Sequence, residues 1–549
     1  MMHKKLNYFL PVLLISGFLI WEYKVNILIW SIPKIAYFIM PIQENIPTSW
    51  SKGPEVASQD DRPNIILILA DDMGYNDISM HNGGAADGTL QTLHIDSLAK
   101  SGILFSRGYA ANATCAPSRA SIMTGKYPTR FGYEFTPVPA TGRLIMQWLA
   151  DENDTELRAR IDREVAAIIP PYMEQGMPTE QITVAEVLRD AGYYTAHIGK
   201  WHLGNAYGMD PLSQGFQDSL QMVGPLYLPE DHPDVVNAKF NTRIDRMIWG
   251  IGQYSANFNG GDLFAPDKYL TDYYTDEALK VIENNKNRPF FLYLSHWAIH
   301  NPLQALRSDV EQMRHMHGHN LQVYSGMIAA LDRSVGKVVQ KLKDLDIYGK
   351  TLIIFTSDNG GANYIELDDI NKPYRGWKIS FFEGGIRVPY IVSWPDQIDP
   401  GQKSDSIVHH FDILPTITSA AGIKSPIETS LDGVNLLPYI KKEVDTQPHK
   451  TLFWRSGNHQ SVLHEDWKYI VSKKENFHWL FDTSVDQEEK NNVIDSHPEK
   501  AQLLKELLVK FNSEQSDPLF PSAFEISTMV DKYDGEEYEE GDEYIYWSN

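Results

Sequence analysis

The sequence predicts an α/β fold, a large mixed but mostly parallel sheet sandwiched by helices, and three observations carry that prediction. The segment from Asn64 to Ala70, N-I-I-L-I-L-A, is a short continuous apolar run, the pattern of a strand buried on both faces. Helix-periodic segments then alternate with further apolar runs, the order expected when helices make the crossovers of a parallel sheet. The unusual residues of the chain stand directly after such runs, and in open α/β sheets ligands collect at the carboxyl ends of strands.

Taken in order, helices are expected at Leu93 to Ser101, Thr183 to Ala191, Thr275 to Glu283 and Leu321 to Leu345, with strands at Tyr194 to Ile198, Phe290 to Ser295, Thr351 to Thr356 and Val388 to Ser393. Beyond Ile423 the pattern changes to short strands at Leu452 to Trp454, Ser461 to Leu463, Trp467 to Val471 and Trp479 to Asp482, then a helix from Pro498 to Phe511. Turn residues between these strands indicate a smaller antiparallel-sheet subdomain. At the other end, His3, Lys4 and Lys5 precede an apolar run from Leu6 to Tyr23, and a second run extends from Val25 to Ile42. A basic start followed by an apolar stretch reads as a signal peptide or an uncleaved anchor; without a small-x-small site after the first run, the anchor is the expectation, with the body outside the cytoplasm. The expected organisation is therefore a membrane segment at 1–45, a linker at 46–62, a main domain at 63–430, a subdomain at 431–520 and an acidic, aromatic tail at 521–549. The tail is expected to be solvated and partly disordered, the alternative being that its aromatics fold back on the body.

Composition narrows the function. The 549 residues are 42% hydrophobic and 22% charged, which excludes a disordered, collagen-like or disulfide-scaffold chain. A net charge of −23 leaves no general grip on nucleic acid phosphates. The single cysteine, Cys115, excludes intramolecular disulfides and cysteine-based zinc sites.

Asp71 and Asp72 follow the first apolar strand directly, and Asp358 and Asn359 follow the strand ending near Ser357. Four hard oxygen donors from two strand ends suit Ca²⁺ or Mg²⁺ rather than zinc. Each pair alone also fits a helix cap or a tight turn. Cys115 lies in A-T-C-A-P-S-R-A-S-I-M-T-G, with Pro117 placed to begin a helix. There it is either a residue in an anion-favouring helix start or a small buried hydrophobe.

The C-A-P-S-R segment followed by T-G resembles the C-x-P-S-R-x-x-x-x-T-G signature of the type I sulfatases, in the alkaline phosphatase superfamily, and G-K-W-H-L-G at Gly199 to Gly204 resembles their second signature. The likeness covers roughly residues 63 to 515, with an insertion between about 134 and 176. It implies an alkaline phosphatase-like fold, Asp71, Asp72, Cys115, Asp358 and Asn359 around a calcium ion, and conversion of Cys115 to formylglycine (3-oxoalanine) by a maturation enzyme. It further implies that Arg119 and Lys200 hold the hydrate and the sulfate charge, that His202 takes the proton that drives sulfate expulsion, and that His300 and Lys378 contact the bridging oxygen. The aldehyde hydrate has two hydroxyls: one attacks sulfur, the other then loses its proton and expels sulfate, where a serine would stop at a stable ester.

His296, Trp201, Trp297, Arg375 and Trp377 adjoin these positions and are candidates for the substrate pocket, where aromatic faces beside an anion site would suit a sugar ring. The expected substrate is a sulfated polysaccharide or oligosaccharide of ulvan, carrageenan or glycosaminoglycan type met in the periplasm or outside the cell. The alternatives are a formylglycine-dependent phosphodiesterase or phosphonate monoester hydrolase and, from another class, an inactive glycan-binding relative.

Overall fold

The computed structural model describes residues 31, 38–81, 84–140, 142–146, 157, 159–423, 431–522 and 524–549. The apolar runs between Leu6 and Ile42 lie almost wholly outside them, and among the described residues no helix is long and apolar enough to cross a membrane. In chain order the strands are β1 (Asn64–Ala70), β2 (Ile103–Tyr109), β3 (Arg160–Ile161), β4 (Tyr194–Gly199), β5 (Asp218–Met222), β6 (Val235–Ala238), β7 (Ala256–Phe258), β8 (Phe290–Ser295) and β9 (Leu303–Leu306). They continue as β10 (Thr351–Ser357), β11 (Tyr390–Ser393), β12 (Gln402–His409), β13 (Thr451–Ser456), β14 (His459–His464), β15 (Trp467–Ser472), β16 (Phe477–Asp482), β17 (Phe524–Met529) and β18 (Tyr544–Ser548).

Nine strands form one sheet in the order β12-β2-β11-β10-β1-β8-β4-β5-β7. Only β11 and β7 run against the rest. The central strands β1, β4, β8 and β10 are buried along their whole length, which is why they read as continuous apolar runs. The sequence pattern does not reveal β2 and β12, and the reason is local. Ser106 and Arg107 interrupt β2, while β12, at the sheet edge, alternates exposed and half-buried residues before its apolar end.

The helices α1 (Leu93–Lys100), α2 (Cys115–Thr124), α3 (Val184–Asp190), α4 (Leu270–Asn285), α5 (His319–Asp344) and α6 (Ile413–Ala420) cover both faces. Because alternate strand residues point to opposite faces, Ile66 and Ile68 of β1 pack with Leu98, Val281, Met327 and Leu331, whereas Ile65, Leu67 and Leu69 pack with Met123, Leu188 and Ile417. The result is a three-layer sandwich.

Strands β13 to β16 form an antiparallel meander covered on one face by Leu504 and Leu508 of α7 (Pro498–Ser513). On the other, Leu452, Trp454 and Leu463 pack against Tyr109, Phe381 and Phe411, and the Trp454 indole donates to the Ala110 carbonyl at 2.8 Å. The meander is thus fixed beside the end of β2.

Residues 46–62, expected as a linker, run largely exposed along the body and are pinned at Trp50, which is buried and whose indole donates to Glu277 at 2.7 Å. One expectation is corrected. The tail, expected to be solvated, forms an ordered sheet β18-β17-β3 with a strand of the insertion, and Ile545 packs with Phe382 and Trp479. The acids between Asp531 and Glu543 lie in the loop, and Ile526 of β17 with Ile545 and Tyr546 of β18 are buried, which folds the tail back despite its charge.

A buried ion group ties β15 to the main domain. Lys468 lies 2.7 Å from Glu383 and 2.8 Å from Glu489, and Glu383 also takes Arg387 at 2.6 Å. Lys468→Ala leaves both carboxyls buried with one cation fewer. We expect a loss of about 3–5 kcal/mol, read as a lower urea midpoint at unchanged slope; an unchanged midpoint would refute this account.

Candidate active site

Strand register assembles the site. Ala70 of β1 stands opposite Ser357 of β10, so Asp71 and Asp72 leave the sheet beside Asp358 and Asn359. Gly199 of β4 stands opposite Ser295 of β8, which delivers Lys200 beside the segment that leads to His300. Gly199 has φ +108°, and a side chain there would put its Cβ 1.9 Å from the Ser295 carbonyl oxygen, so only glycine lets these strand ends close. Asp72 and His202 also take left-handed backbone at φ 59° and 64°, conformations that non-glycine residues adopt mainly where surrounding structure imposes them.

Cys115 is the first residue of α2. The preceding turn is fixed by Ser118, whose hydroxyl accepts from the Asn112 amide at 3.0 Å and donates to its carbonyl at 2.8 Å, and Gly125 ends the helix at φ 68°. Pro117 sits in the first turn rather than opening the helix. One turn on from Cys115, the fully buried Arg119 donates to Asp71 at 2.9 Å and to Asp358 at 2.8 and 3.0 Å. It also donates to the Lys200 carbonyl at 3.0 Å and to the Ser295 hydroxyl.

Around these groups the charges alternate. Lys200 Nζ lies 2.6 Å from Asp71, and Lys378 Nζ lies 2.7 Å from Asp72. Lys378 also stands 3.2 Å from His300 Nε2 and from the Tyr364 hydroxyl, which itself donates to Asp72 at 2.9 Å. The Cys115 Sγ is 3.5 Å from Asp71 and 3.8 Å from Asp72. Burial and the nearby Asp358 push the Asp71 carboxyl up to about 6. Burial would raise Asp72 as well, but the Lys378 and Lys200 ammonium groups outweigh it and hold that carboxyl below its usual range. Burial and Asp358 also raise the Cys115 thiol. His300 Nδ1 faces the Asn301 carbonyl at 2.6 Å, an acceptor only, so the proton sits on Nδ1 and Nε2 is left to accept from Lys378.

The donor set fits a hard divalent cation. Ligand atoms of Asp71, Asp72, Cys115 and His300 lie within 4.8 Å of one another. The Asn359 side-chain oxygen, Oδ1, is buried without a partner, while its Nδ2 donates to Asp72 at 2.8 Å, so an oxygen lone pair is left uncommitted beside the carboxylates. Asp358, expected among the ligands, stands just outside this group, with one oxygen on Arg119 and the other accepting from the Asp72 amide at 3.2 Å.

The other expected residues fall into two groups. His202 is half-buried with Nδ1 unpartnered, in a cleft that it shares with Pro137, Tyr172, Met173, Gln175, Gly204 and Asn205, so the insertion supplies one wall. Trp297 stacks on His300 with ring centroids 4.0 Å apart, and Lys200 lies over its ring. Trp377, beside Lys378, is buried with its indole nitrogen unpartnered. By contrast, Trp201 is a core residue whose indole donates to the Met209 carbonyl, and His296 is tied to Ser334 of α5 at 3.0 Å. Arg375 is also removed from the pocket candidates, because it is paired with Asp531 and Glu543 of the tail. Two residues of the site escaped sequence reading. Tyr364 lies in a short turn five residues beyond Asn359, and Ser295 ends β8; neither belongs to a recognisable spacing.

Comparison with known proteins agrees with this geometry. The family model described as Sulfatase matches residues 63–423, and one described as N-sulphoglucosamine sulphohydrolase, C-terminal, matches 376–517. The N-acetylgalactosamine-6-sulfatase of Sus scrofa is 32% identical over 400 residues, covering 72% of this chain and 69% of that protein. The N-acetylgalactosamine-6-O-sulfatase of Bacteroides thetaiotaomicron is 27% identical, covering 81% and 92%. The solved structure of Ps i-CgsB in complex with k-i-k-neocarrahexaose superposes with a TM-score of 0.68 at 29% identity, over 84% of this chain and 94% of that one. With both signatures converging on one buried centre and these matches spanning most of the chain, the protein belongs to the sulfatase family of sulfuric ester hydrolases, on the alkaline phosphatase-like fold.

Proposed function

We propose that this enzyme removes sulfate from a sulfated oligosaccharide or polysaccharide, using a formylglycine made from Cys115 and a bound calcium ion. The observation that carries the reading is the centre itself, where Cys115 opens a helix against Asp71 and Asp72 among three carboxylates and three cations. These charges balance, so a divalent cation leaves the pocket with a positive surplus that favours an anionic ester. Asp71, Asp72 and the free Asn359 oxygen would hold that cation, with Asp358 beside them, and it would supply charge neutralisation next to the nucleophile. Formylglycine in its hydrated form would supply one hydroxyl for attack on sulfur and a second whose deprotonation releases sulfate.

The side chains divide the remaining work. Arg119 lies between Asp71 and Asp358, supplying the positive charge they share, and fixes the first turn of α2. Lys200, 2.6 Å from Asp71 and packed over Trp297, faces the sulfate oxygens. Lys378, donating to neutral His300 and to Asp72, presents a further proton to the ester oxygen as it departs. His202, held neutral by burial and by nearby Lys200 and Arg119, has an unpartnered Nδ1 able to accept the proton that frees sulfate.

A glycan substrate is supported by two relatives named for action on N-acetylgalactosamine 6-sulfate groups and by a structural neighbour solved with a carrageenan-type hexaose. The two apolar runs before Gln43 support an anchored or secreted enzyme that meets its substrate outside the cytoplasm.

Three measurements test the proposal. Protein made with a formylglycine-generating enzyme should carry an aldehyde at residue 115, and Cys115→Ala should lower kcat/KM at least about a thousandfold; full activity from unmodified Cys115 would refute the mechanism. Chelation should abolish turnover and lower the melting temperature, with Ca²⁺ restoring both, since a ligand bound only by the native state stabilises it. A screen of defined sulfated oligosaccharides, run beside matched phosphate esters, should yield sulfate from a galactose- or galactosamine-type sugar; preferential phosphate release would favour the phosphodiesterase alternative.

A further inference from the structure

We propose that the carboxyl-terminal strand pair β17–β18 positions Lys378, acting through Arg375, so that the tail is a working part of the site. The inference rests on the role given to Lys378 above. The tail lies beyond both family matches, which end at residues 423 and 517.

The loop that carries Lys378 is held from two sides. On its inner edge, the Lys378 amide donates to the Gly361 carbonyl at 2.9 Å, and Asn371 donates to the Gly361 and Gly376 carbonyls at 3.0 and 3.2 Å, tying the loop to the turn after Asn359. Its outer edge belongs to the tail. Arg375 reaches Asp531 and Glu543, the two ends of the loop between β17 and β18, and donates to the Glu489 carbonyl at 3.1 Å. The Tyr533 ring lies 5.9 Å from Trp377, and the Lys532 carbonyl accepts from Asn363. The tail therefore grips the neighbours of both Lys378 and Tyr364. Its own base is fixed by Val530 and Ile545 against Phe382, and by Asn549, which exchanges hydrogen bonds with Thr136 of the insertion at 2.8 and 2.9 Å.

This grip addresses geometry more than stability. Asp531 and Glu543 are 55% and 38% exposed at their side chains, so removing Arg375 strands no buried carboxylate. Lys378, in contrast, holds Asp72, His300 and Tyr364 at 2.7 to 3.2 Å through a long flexible stem, and displacement of its backbone by about 1 Å is enough to misplace a proton donor. A donor at the departing oxygen matters most when the leaving alcohol is a poor one, as a sugar hydroxyl is, and least for an activated aryl ester.

The test compares wild type, Arg375→Ala, and Asp531→Asn combined with Glu543→Gln, each with verified residue-115 conversion. On a sulfated sugar, kcat should fall about ten- to a hundredfold, and on an activated aryl sulfate less than about threefold, with the two sets of changes non-additive when combined. Hydrogen exchange in residues 371–378 should rise in the variants while exchange in α2 stays as in wild type, a readout that needs no turnover. Equal losses on both esters, no loss on either, or unchanged exchange in 371–378 would overturn the positioning role. Absence of sulfate release by wild type would instead overturn the sulfatase reading, leaving the exchange measurement to decide the structural claim.

Discussion

The guanidinium of Arg119 lies between two carboxylates, and the catalytic face depends on it. Parallel strands in register bring Asp71 and Asp358 to adjacent ends of β1 and β10, where both are fully buried. Two like charges so placed repel, and burial adds the cost of lost hydration. Arg119 offsets both with hydrogen bonds of 2.8 to 3.0 Å. Because it comes from the second turn of α2, the same contacts fix that helix against the strand ends. Cys115, four residues earlier and so on the same helical face, is thereby set against Asp71 and Asp72. Charge balance and nucleophile placement are one interaction.

A second balance surrounds Asp72. Lys378, Tyr364 and the Asn359 amide converge on its carboxylate from the long connection between β10 and β11, and His300 stands beside it from the segment after β8. Asp71 is held from inside the fold by Arg119 and Lys200, whereas Asp72 is held by groups from surface-connected loops. The first half is as rigid as the sheet, and the second is as rigid as whatever supports those loops. Here the support includes the meander β13–β16 and the tail, so peripheral pieces with no reacting group still bear on the chemistry.

Much of the architecture was legible because burial writes itself into composition. Strands β1 and β8 match their apolar runs residue for residue, and α5 and α7 match their periodicity to within a few residues. Strand β12 was illegible because an edge strand needs no apolar run, and β2 because Ser106 and Arg107 break its pattern. The tail misled for the opposite reason: its eight acids between Asp531 and Glu543 signal solvent, yet those acids lie in the loop while the apolar face of β17 and β18 does the folding. Adjacency in sequence misled at Arg375 and Trp201, which neighbour site residues but point to the tail and into the core.

By itself the sequence determined which chemical groups are available and where along the chain they emerge: a cysteine at a helix start, acids and an amide after buried strands, lysines and histidines in recognisable segments. Those are local facts, carried by hydrophobic periodicity, turn residues and motif spacing. Only the tertiary structure decided which of them meet. That Tyr364 joins Lys378 at Asp72, that the Asn359 oxygen is left free among carboxylates, and that Arg375 answers to residues more than 150 positions away all follow from strand register and loop packing. Contacts of that kind are set by the energy of closing the whole fold around a buried charge balance, and no short stretch of sequence contains it.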